Sequence, residues 1–139
     1  MKWLLDVNVV LDVLTGRQPW VDHSAEILTR VERGEATGYL AAHTVTTLHY
    51  LSSVHRGPDV AREHIGLLLR LFEIVAVDED RLLQALDLDL SDFEDAVQAA
   101  CAEKQGVDVL VTRNERDFRG LGLDVLSPVA LLSRLDDDG

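Results

Sequence analysis

The chain has 139 residues, of which 47% are hydrophobic and 27% charged, so it is not a disordered protein and fits one globular domain, residues 1–139. Its net charge of −12 argues against bulk, non-specific nucleic-acid binding, which depends on lysine and arginine neutralising phosphates. No apolar run approaches membrane-spanning length and no signal-peptide pattern opens the chain, so we expect a cytoplasmic protein with no membrane segment. The single cysteine, Cys101, lies in an alanine-rich run and is interpreted as a small buried apolar residue.

The first predicted element is a short buried strand, Trp3-Leu4-Leu5, which stops on Asp6. In an open parallel sheet, ligand sites lie outside the carboxyl ends of the strands, so an acid at this position is a candidate site residue. Aspartate is also a favoured helix N-cap, and Asp6 could instead do no more than cap the helix that we predict over Val9 to Leu14. Asp12, within that helix, could pair with a neighbouring arginine.

Helices and strands then alternate through the first half of the chain. The pattern predicts, in order, a helix capped by Asp22 and ending at Gly34, a strand from Gly38 to Ala42, a helix capped by Thr44, a helix from Pro58 to Phe72, a strand from Ile74 to Val77 and a helix opened by Asp78. With no linker and no internal repeat, this alternation predicts an α/β fold, a three-layer sandwich with a mostly parallel central sheet.

The second half continues the alternation. Ser91 followed three residues later by Glu94 predicts a capping box at the start of a helix that Gly106 ends. A buried strand from Asp108 to Val111 follows, leading into the polar segment TRNERDF. A last strand from Leu123 to Leu126, a helix beginning at Pro128 and a frayed acidic tail at 136–139 are predicted to close the chain.

Four polar residues fall where a ligand site is expected in such a sheet: Asp6 after the first strand, Asn114 and Asp117 after the Val109–Val111 strand, and Asp95 in the helix before it. Clustered carboxylates repel one another, so one of them takes up a proton or the group recruits a cation. Mg²⁺ and Mn²⁺ prefer such oxygen ligands, whereas zinc is disfavoured because no CxxC or HExxH is present. Structural roles stay open, since Asn114 and Asp117 can form turns and Asp95 can complement a helix dipole.

Three segments resemble the PIN-domain nucleases, in particular the VapC-type toxins of bacterial toxin–antitoxin pairs: LLDVNVVLD, DFEDAVQAACAEKQGVDVLVTRNERDF and LSPVALL. The resemblance covers nearly the whole chain, and the middle segment is its most specific part. It implies a set of acidic metal ligands with polar neighbours: Asp6, Asp95 and Asp117 as ligands, and Asn8, Thr112 and Asn114 as supporting residues.

The chain departs from the family pattern at one point. The family usually carries a glutamate on the helix after the second strand, and the equivalent position here is Thr47. The segment AAHTVTTLHYL offers threonines and histidines but no carboxylate, so the predicted site has one acid fewer. Glu94 could supply part of the missing charge.

The resemblance implies a metal-dependent endoribonuclease that hydrolyses RNA with Mg²⁺ or Mn²⁺, with Arg113 and Arg116 as candidate phosphate contacts. It also implies a cognate antitoxin as a protein partner and a homodimer, for which the apolar helices at Thr44 to Val54 and Pro58 to Phe72 offer surface. The alternative use of those apolar residues is in the core.

Two other functions stay open at this point. One is a PIN fold with an incomplete acidic set, which binds RNA or a protein without cutting. The other is a phosphohydrolase with Asp6 as its nucleophile, a class that usually carries a second aspartate two residues later. Asn8 occupies that position and counts against the phosphohydrolase.

Overall fold

The computed structural model describes residues 1–138, over which strands and helices alternate as predicted. The strands are β1 Lys2–Leu5, β2 Thr37–Ala41, β3 Glu73–Val75, β4 Val109–Val111 and β5 Asp124–Leu126. The helices are α1 Val7–Thr15, α2 Val21–Glu32, α3 Ala42–Arg56, α4 Pro58–Leu71, α5 Glu79–Asp87, α6 Phe93–Gln105 and α7 Pro128–Asp138, with a 3₁₀ helix at Glu115–Phe118. Within residues 1–138, every helix is too short or too polar to cross a bilayer.

Strand β1 is the centre of the sheet, which has five parallel strands in the described part of the chain, in the order β3-β2-β1-β4-β5. Leu4 of β1 lies opposite Tyr39 of β2 on one side and Leu110 of β4 on the other. Because the strands are parallel, their carboxyl ends share one edge, and Asp6 follows directly at the end of the central strand. The chain extends outwards from β1 to β3 and then returns to add β4 on the other side, which makes this edge a topological switch point.

Successive side chains of β1 point to opposite faces of the sheet and enter two separate cores. Trp3 and Leu5 pack with apolar residues of α1, α2, α3, α4 and α7, whereas Leu4 packs with those of α5 and α6. All three side chains are fully buried. This arrangement confirms the predicted three-layer α/β sandwich.

Helix α6 packs closely on the sheet because the residues of its buried face are small, including Ala96, Ala99, Ala100 and Cys101. Cys101 has no exposed surface, which confirms its predicted place in the core. Burial raises the pKa of the Cys101 thiol to about 11. The thiol is therefore protonated at neutral pH and is not an activated nucleophile.

The capping box predicted from Ser91 and Glu94 is wrong. Helix α6 begins at Phe93, and its N-cap is Asp92, whose carboxylate accepts a hydrogen bond from the backbone N–H of Asp95 at 3.0 Å. Asp92 has the extended backbone conformation that an N-cap requires, so the helix starts one residue later than Ser91 would place it. The N-cap predicted at Asp78 is confirmed, since its side chain accepts from the N–H of Arg81.

Two other predicted caps are wrong because the helices begin earlier. Helix α2 begins at Val21, so Asp22 lies in its first turn. The chain passes from β2 into α3 without a loop, and α3 begins at Ala42, which leaves Thr44 inside the helix and fully buried.

The end of the chain also differs from the predicted frayed tail. Helix α7 continues to Asp138, so residues 136–138 lie in its last turns, while Gly139 lies outside the described residues. Leu131, Leu132 and Leu135 pack against the first core, and this apolar stripe holds the helix on the domain.

Candidate active site

The Asp6 carboxylate is the best-anchored polar group at the carboxyl edge of the sheet. The backbone N–H of Asp6 donates to the carbonyl of Val111 at 2.9 Å, which extends the pairing of β1 with β4 by one residue. Only 6% of the residue is exposed, and its carboxylate accepts four hydrogen bonds: from Val7 N (2.7 Å), Gln98 Nε2 (2.8 Å), Asn8 Nδ2 (3.1 Å) and Thr112 Oγ1 (2.7 Å). Asp6 therefore caps α1 and also joins the ends of β1 and β4 to α6.

Thr112 and Asn8 extend this network towards the segment after β4. The fully buried Thr112 hydroxyl donates to Asp6 and accepts from the backbone N–H of Asn114 at 3.0 Å. Asn8 Oδ1 accepts from the backbone N–H of Arg113 at 3.4 Å. Thr112 and Asn8 thus contact Asp6, as their predicted supporting role requires, whereas the exposed Asn114 joins the network through its backbone.

Asp95 lies half-buried in the first turn of α6, and its pKa is raised to about 7. Burial is the largest cause, followed by repulsion from the charges of Asp6, Asp92, Asp117 and Glu94, in that order. Asp6 is hydrogen-bonded to Gln98 of α6, and the 3₁₀ helix that carries Asp117 packs against the same helix. Asp6, Asp95 and Asp117 therefore share one anionic region although they come from three separate segments.

Asp117 is exposed on the 3₁₀ helix that follows β4. Its backbone N–H donates to the carbonyl of Asn114 at 2.9 Å, so the turn considered for these residues is present. Phe118 is buried in the second core and fixes the 3₁₀ helix against the sheet. Residues 113–117 line a shallow, open cavity of about 370 Å³.

The Arg113 side chain is paired with Asp12 through two of its five N–H donors, and its contact with phosphate stays a prediction. Its guanidinium donates to Asp12 through Nε at 2.7 Å and Nη2 at 3.2 Å, and it lies 3.9 Å from the centroid of the Trp20 ring. Asp12 is fully buried, and the predicted pairing with an arginine is confirmed. Arg116 is exposed on the 3₁₀ helix.

Thr47 and Glu94 both contact His43, at the junction of α3 and α6. The Thr47 hydroxyl donates to the His43 carbonyl at 3.1 Å, one turn earlier in α3. His43 Nε2 lies 3.1 Å from the Glu94 carbonyl and donates to it, since a carbonyl oxygen only accepts. Glu94 makes this contact through its backbone, and its side chain is exposed. Helix α3 contributes no carboxylate.

Comparison with known families identifies the chain. The model of the PIN domain matches residues 2–116, a range that includes Asp6 and Asp95 and ends one residue before Asp117. The chain belongs to the PIN-domain family. A comparison with curated proteins found no significant match.

Solved structures with the PIN fold include toxin–antitoxin complexes. VapBC2 from Rickettsia felis, bound to a DNA fragment from its promoter, superposes with a TM-score of 0.71 and 17% identity, over 91% of this chain and 98% of that chain. A toxin–antitoxin complex from Klebsiella pneumoniae gives 0.68 and 22%, over 90% and 96%. The Mycobacterium tuberculosis toxin VapC20, which cleaves the sarcin-ricin loop, gives 0.63 and 15%, over 78% and 86%. At these identities the likeness shows the fold.

The carboxylate oxygens of Asp6, Asp95 and Asp117 are negatively charged, hard ligands of the kind that Mg²⁺ and Mn²⁺ prefer. As they stand, no three His, Cys, Asp or Glu side chains of the described residues lie close enough to bind one ion together. The acceptor positions of Asp6 are also filled, and its bond from Asn8 is the longest of the four. The residues therefore fit such a cation in their chemistry, while the three carboxylates do not converge on one point in this structure.

Gln98 is the site residue that the sequence did not reveal. It lies on the buried face of α6, 2% exposed, and contacts Asp6 across 92 positions of the chain. The available signal was a single amide within the small apolar run AVQAACA, three residues after Asp95 and hence on the same side of the helix. A polar group buried at such a position needs a partner, and the partner here is Asp6.

Proposed function

We propose that this PIN domain is a metal-dependent endoribonuclease that acts in the cytoplasm as the toxin of a toxin–antitoxin pair. The observation that carries the proposal is the anionic region of Asp6, Asp95 and Asp117 at the switch point of the sheet, where repulsion and burial raise the pKa of Asp95 to about 7. The RNA-cleaving activity of VapC20, which has the same fold, supports RNA as the substrate.

Asp6, Asp95 and Asp117 are the residues that would hold Mg²⁺ or Mn²⁺, which when bound supplies an activated water and neutralises charge on the phosphate. The hydrogen bonds from Val7, Gln98 and Thr112 hold the Asp6 carboxylate in one orientation.

With its pKa at about 7, Asp95 carries a proton about half of the time near pH 7 when no cation is present. Loading the site releases that proton, because a cation and a proton compete for the same carboxylate. Arg116, exposed beside Asp117, is available to contact a phosphate of the RNA.

Cleavage of labelled RNA by the purified chain tests the proposal. Cleavage is expected with Mg²⁺ or Mn²⁺ and not with chelator, and Asp6→Asn is expected to reduce it more than about 100-fold, because the change keeps the shape and removes the charge. The control is Asp124→Asn, an exposed aspartate at the opposite edge of the sheet, which should cleave normally. Undiminished cleavage by Asp6→Asn would reject the assignment of Asp6.

A second candidate is a PIN fold that binds RNA or a protein without cutting. One observation in its favour is that α3 has no carboxylate, since Thr47 occupies the position where the family usually has a glutamate. Another is that no three acids of the described residues lie close enough together to bind one ion. RNA binding without cleavage at any Mn²⁺ concentration would support it. Recovery of cleavage in Thr47→Glu, but not in the uncharged control Thr47→Gln, would then identify the missing acid.

We further propose a cognate antitoxin as partner and a homodimer as the oligomer. Related folds are solved as toxin–antitoxin complexes, and the net charge of −12 favours a partner with basic side chains near the carboxylates. Apolar side chains for an antitoxin helix or a second copy are exposed on α3 and α4: Tyr50, Val54, Leu67 and Leu69. Pull-down from the native host should recover a small protein, and recovery of none at any salt concentration would count against the antitoxin.

A further inference from the structure

Gln98 is a buried amide with only one of its two ends satisfied. Its Nε2 donates to Asp6 Oδ1 at 2.8 Å, while its Oε1 has no hydrogen-bond partner among the described residues. Only 2% of the residue is exposed. Leaving a buried acceptor unpaired destabilises the fold, so a position with no further purpose would favour an apolar residue.

The orientation of the amide follows from its chemistry. A carboxylate oxygen accepts hydrogen bonds only, so the NH₂ end must face Asp6 and the carbonyl end must be the unpaired one. Both atoms are bonded to the same carbon, so Oε1 belongs to the amide group that contacts Asp6. Asp95 projects from the same side of α6, three residues earlier. The unpaired oxygen is thus a buried acceptor next to the anionic region.

We propose that Gln98 is a positioning residue of the cation site and that its Oε1 joins the oxygen shell of the bound cation, directly or through one coordinated water. This inference rests on the proposed function and names a further oxygen ligand of the proposed cation. Amide carbonyl oxygens are accepted ligands of hard divalent cations. Gln98 adds an oxygen without adding charge, in a chain whose α3 has no carboxylate.

The NH₂ group and the carbonyl group of the Gln98 side chain have different roles in this proposal. The NH₂ end fixes the oxygen of Asp6 that also caps α1, and the carbonyl end completes the shell around the ion. A purely structural Gln98 would stabilise the fold and leave metal affinity unchanged. The two roles therefore differ in a quantity that can be measured without RNA.

Calorimetric titration with Mn²⁺ alone, on the full chain, tests this inference. Gln98→Met keeps the length of the side chain and removes the amide, and it is expected to bind Mn²⁺ about tenfold more weakly. Gln98→Leu removes the amide with another apolar side chain of similar volume and is expected to show the same loss, which covers the case that the methionine variant does not fold. The matched control is Gln105→Met, at the end of the same helix, which should leave the affinity unchanged.

Asp6→Asn separates this inference from the proposed function. If Asp6→Asn loses Mn²⁺ binding and folded Gln98→Met does not, the site exists and the role of Gln98 is overturned. If wild type itself binds no Mn²⁺, the metal-dependent function fails, and the role of Gln98 fails with it. Water-proton relaxation of bound Mn²⁺ distinguishes the two forms of the contact, since Gln98→Met gains a coordinated water only if Oε1 binds directly.

Discussion

At the scale of one residue, Asp95 shows how burial and neighbouring like charges raise the pKa of a carboxyl group. Its pKa is about 7 in the folded protein and near 3.8 without the fold, so the folded state holds the proton more tightly. Stability therefore falls as the pH rises from about 4 through 7, because the folded state must release a proton that the unfolded state has already lost. The anionic region thus destabilises the metal-free protein at neutral and alkaline pH.

Asp95→Asn should remove this pH dependence. Without metal, we expect the variant to be more stable than wild type at pH 8 by on the order of 1 kcal/mol after allowing for solvent screening, about 3–5 °C in Tm, with the two converging near pH 4. Thermal melts from pH 4 to 8 in chelator measure the difference, with Asp59→Asn, an exposed aspartate in the first turn of α4, as the control. Equal melting of Asp95→Asn and wild type at pH 8 would show that Asp95 is not crowded by its neighbours.

The contact partners of a side chain were harder to predict than the place of its residue in the fold. Asp6 could be placed because it directly ends an apolar strand. An arginine partner for Asp12 was predicted, but not that it is Arg113, which lies 101 positions away and which no local pattern indicates. Gln98 was missed for the same reason, since its contact with Asp6 exists only once β1 and α6 have packed.

At the scale of the elements, strand β2 is held against its neighbours by the absence of a side chain at Gly38. A Cβ added there would lie 2.7 Å from ring carbons of Phe72 and 2.8 Å from Val31 Cγ1. The strand can therefore approach α2 and the end of α4 only with glycine at this position. This close approach helps to set the position of β2 beside β1.

Gly38→Ala should lower the free energy of unfolding by about 1–3 kcal/mol, because the new methyl group overpacks the core. Urea denaturation measures this change. The matched control is Gly66→Ala in α4, where an added Cβ meets nothing within 4 Å and should instead stabilise the helix by about 0.5–1 kcal/mol. Gly38→Ala as stable as wild type would mean that β2 packs less closely than described.

Element order and sheet class followed from hydrophobic runs alone, whereas helix starts did not. Ser91 and Asp92 are adjacent and both can cap a helix, so only the backbone conformation decides between them. Thr44 looked like a cap because the sequence does not show that β2 enters α3 without a loop. Such boundaries depend on tertiary contacts that a local pattern does not contain.

At the scale of the whole molecule, α3 and α4 are among the helices that leave apolar side chains exposed. Tyr50 and Val54 of α3 are each 66% exposed, one turn apart, and Leu67 of α4 is also exposed. Adjacent exposed apolar side chains on packed helices mark an interaction surface. The proposed homodimer would cover them.

Tyr50→Lys with Val54→Lys should therefore give a monomer. Light scattering is expected to give twice the 15.4 kDa of one chain for wild type and the single value for the double variant. Lysines at Leu83 and Leu86, exposed on α5 in the other helix layer, are the control and should leave the dimer intact. A wild type that stays monomeric at all concentrations would reject the homodimer.

The central claim is that Asp6, Asp95 and Asp117, which come from three segments of the chain, form one cation site. Anomalous diffraction from crystals grown with Mn²⁺ tests it most directly. We predict a manganese peak at about 2.0–2.3 Å from a carboxylate oxygen of each of the three residues, and no such peak in Asp6→Asn crystals. A protein that cleaves RNA while its manganese peak lies away from Asp6, or is absent, would contradict the claim.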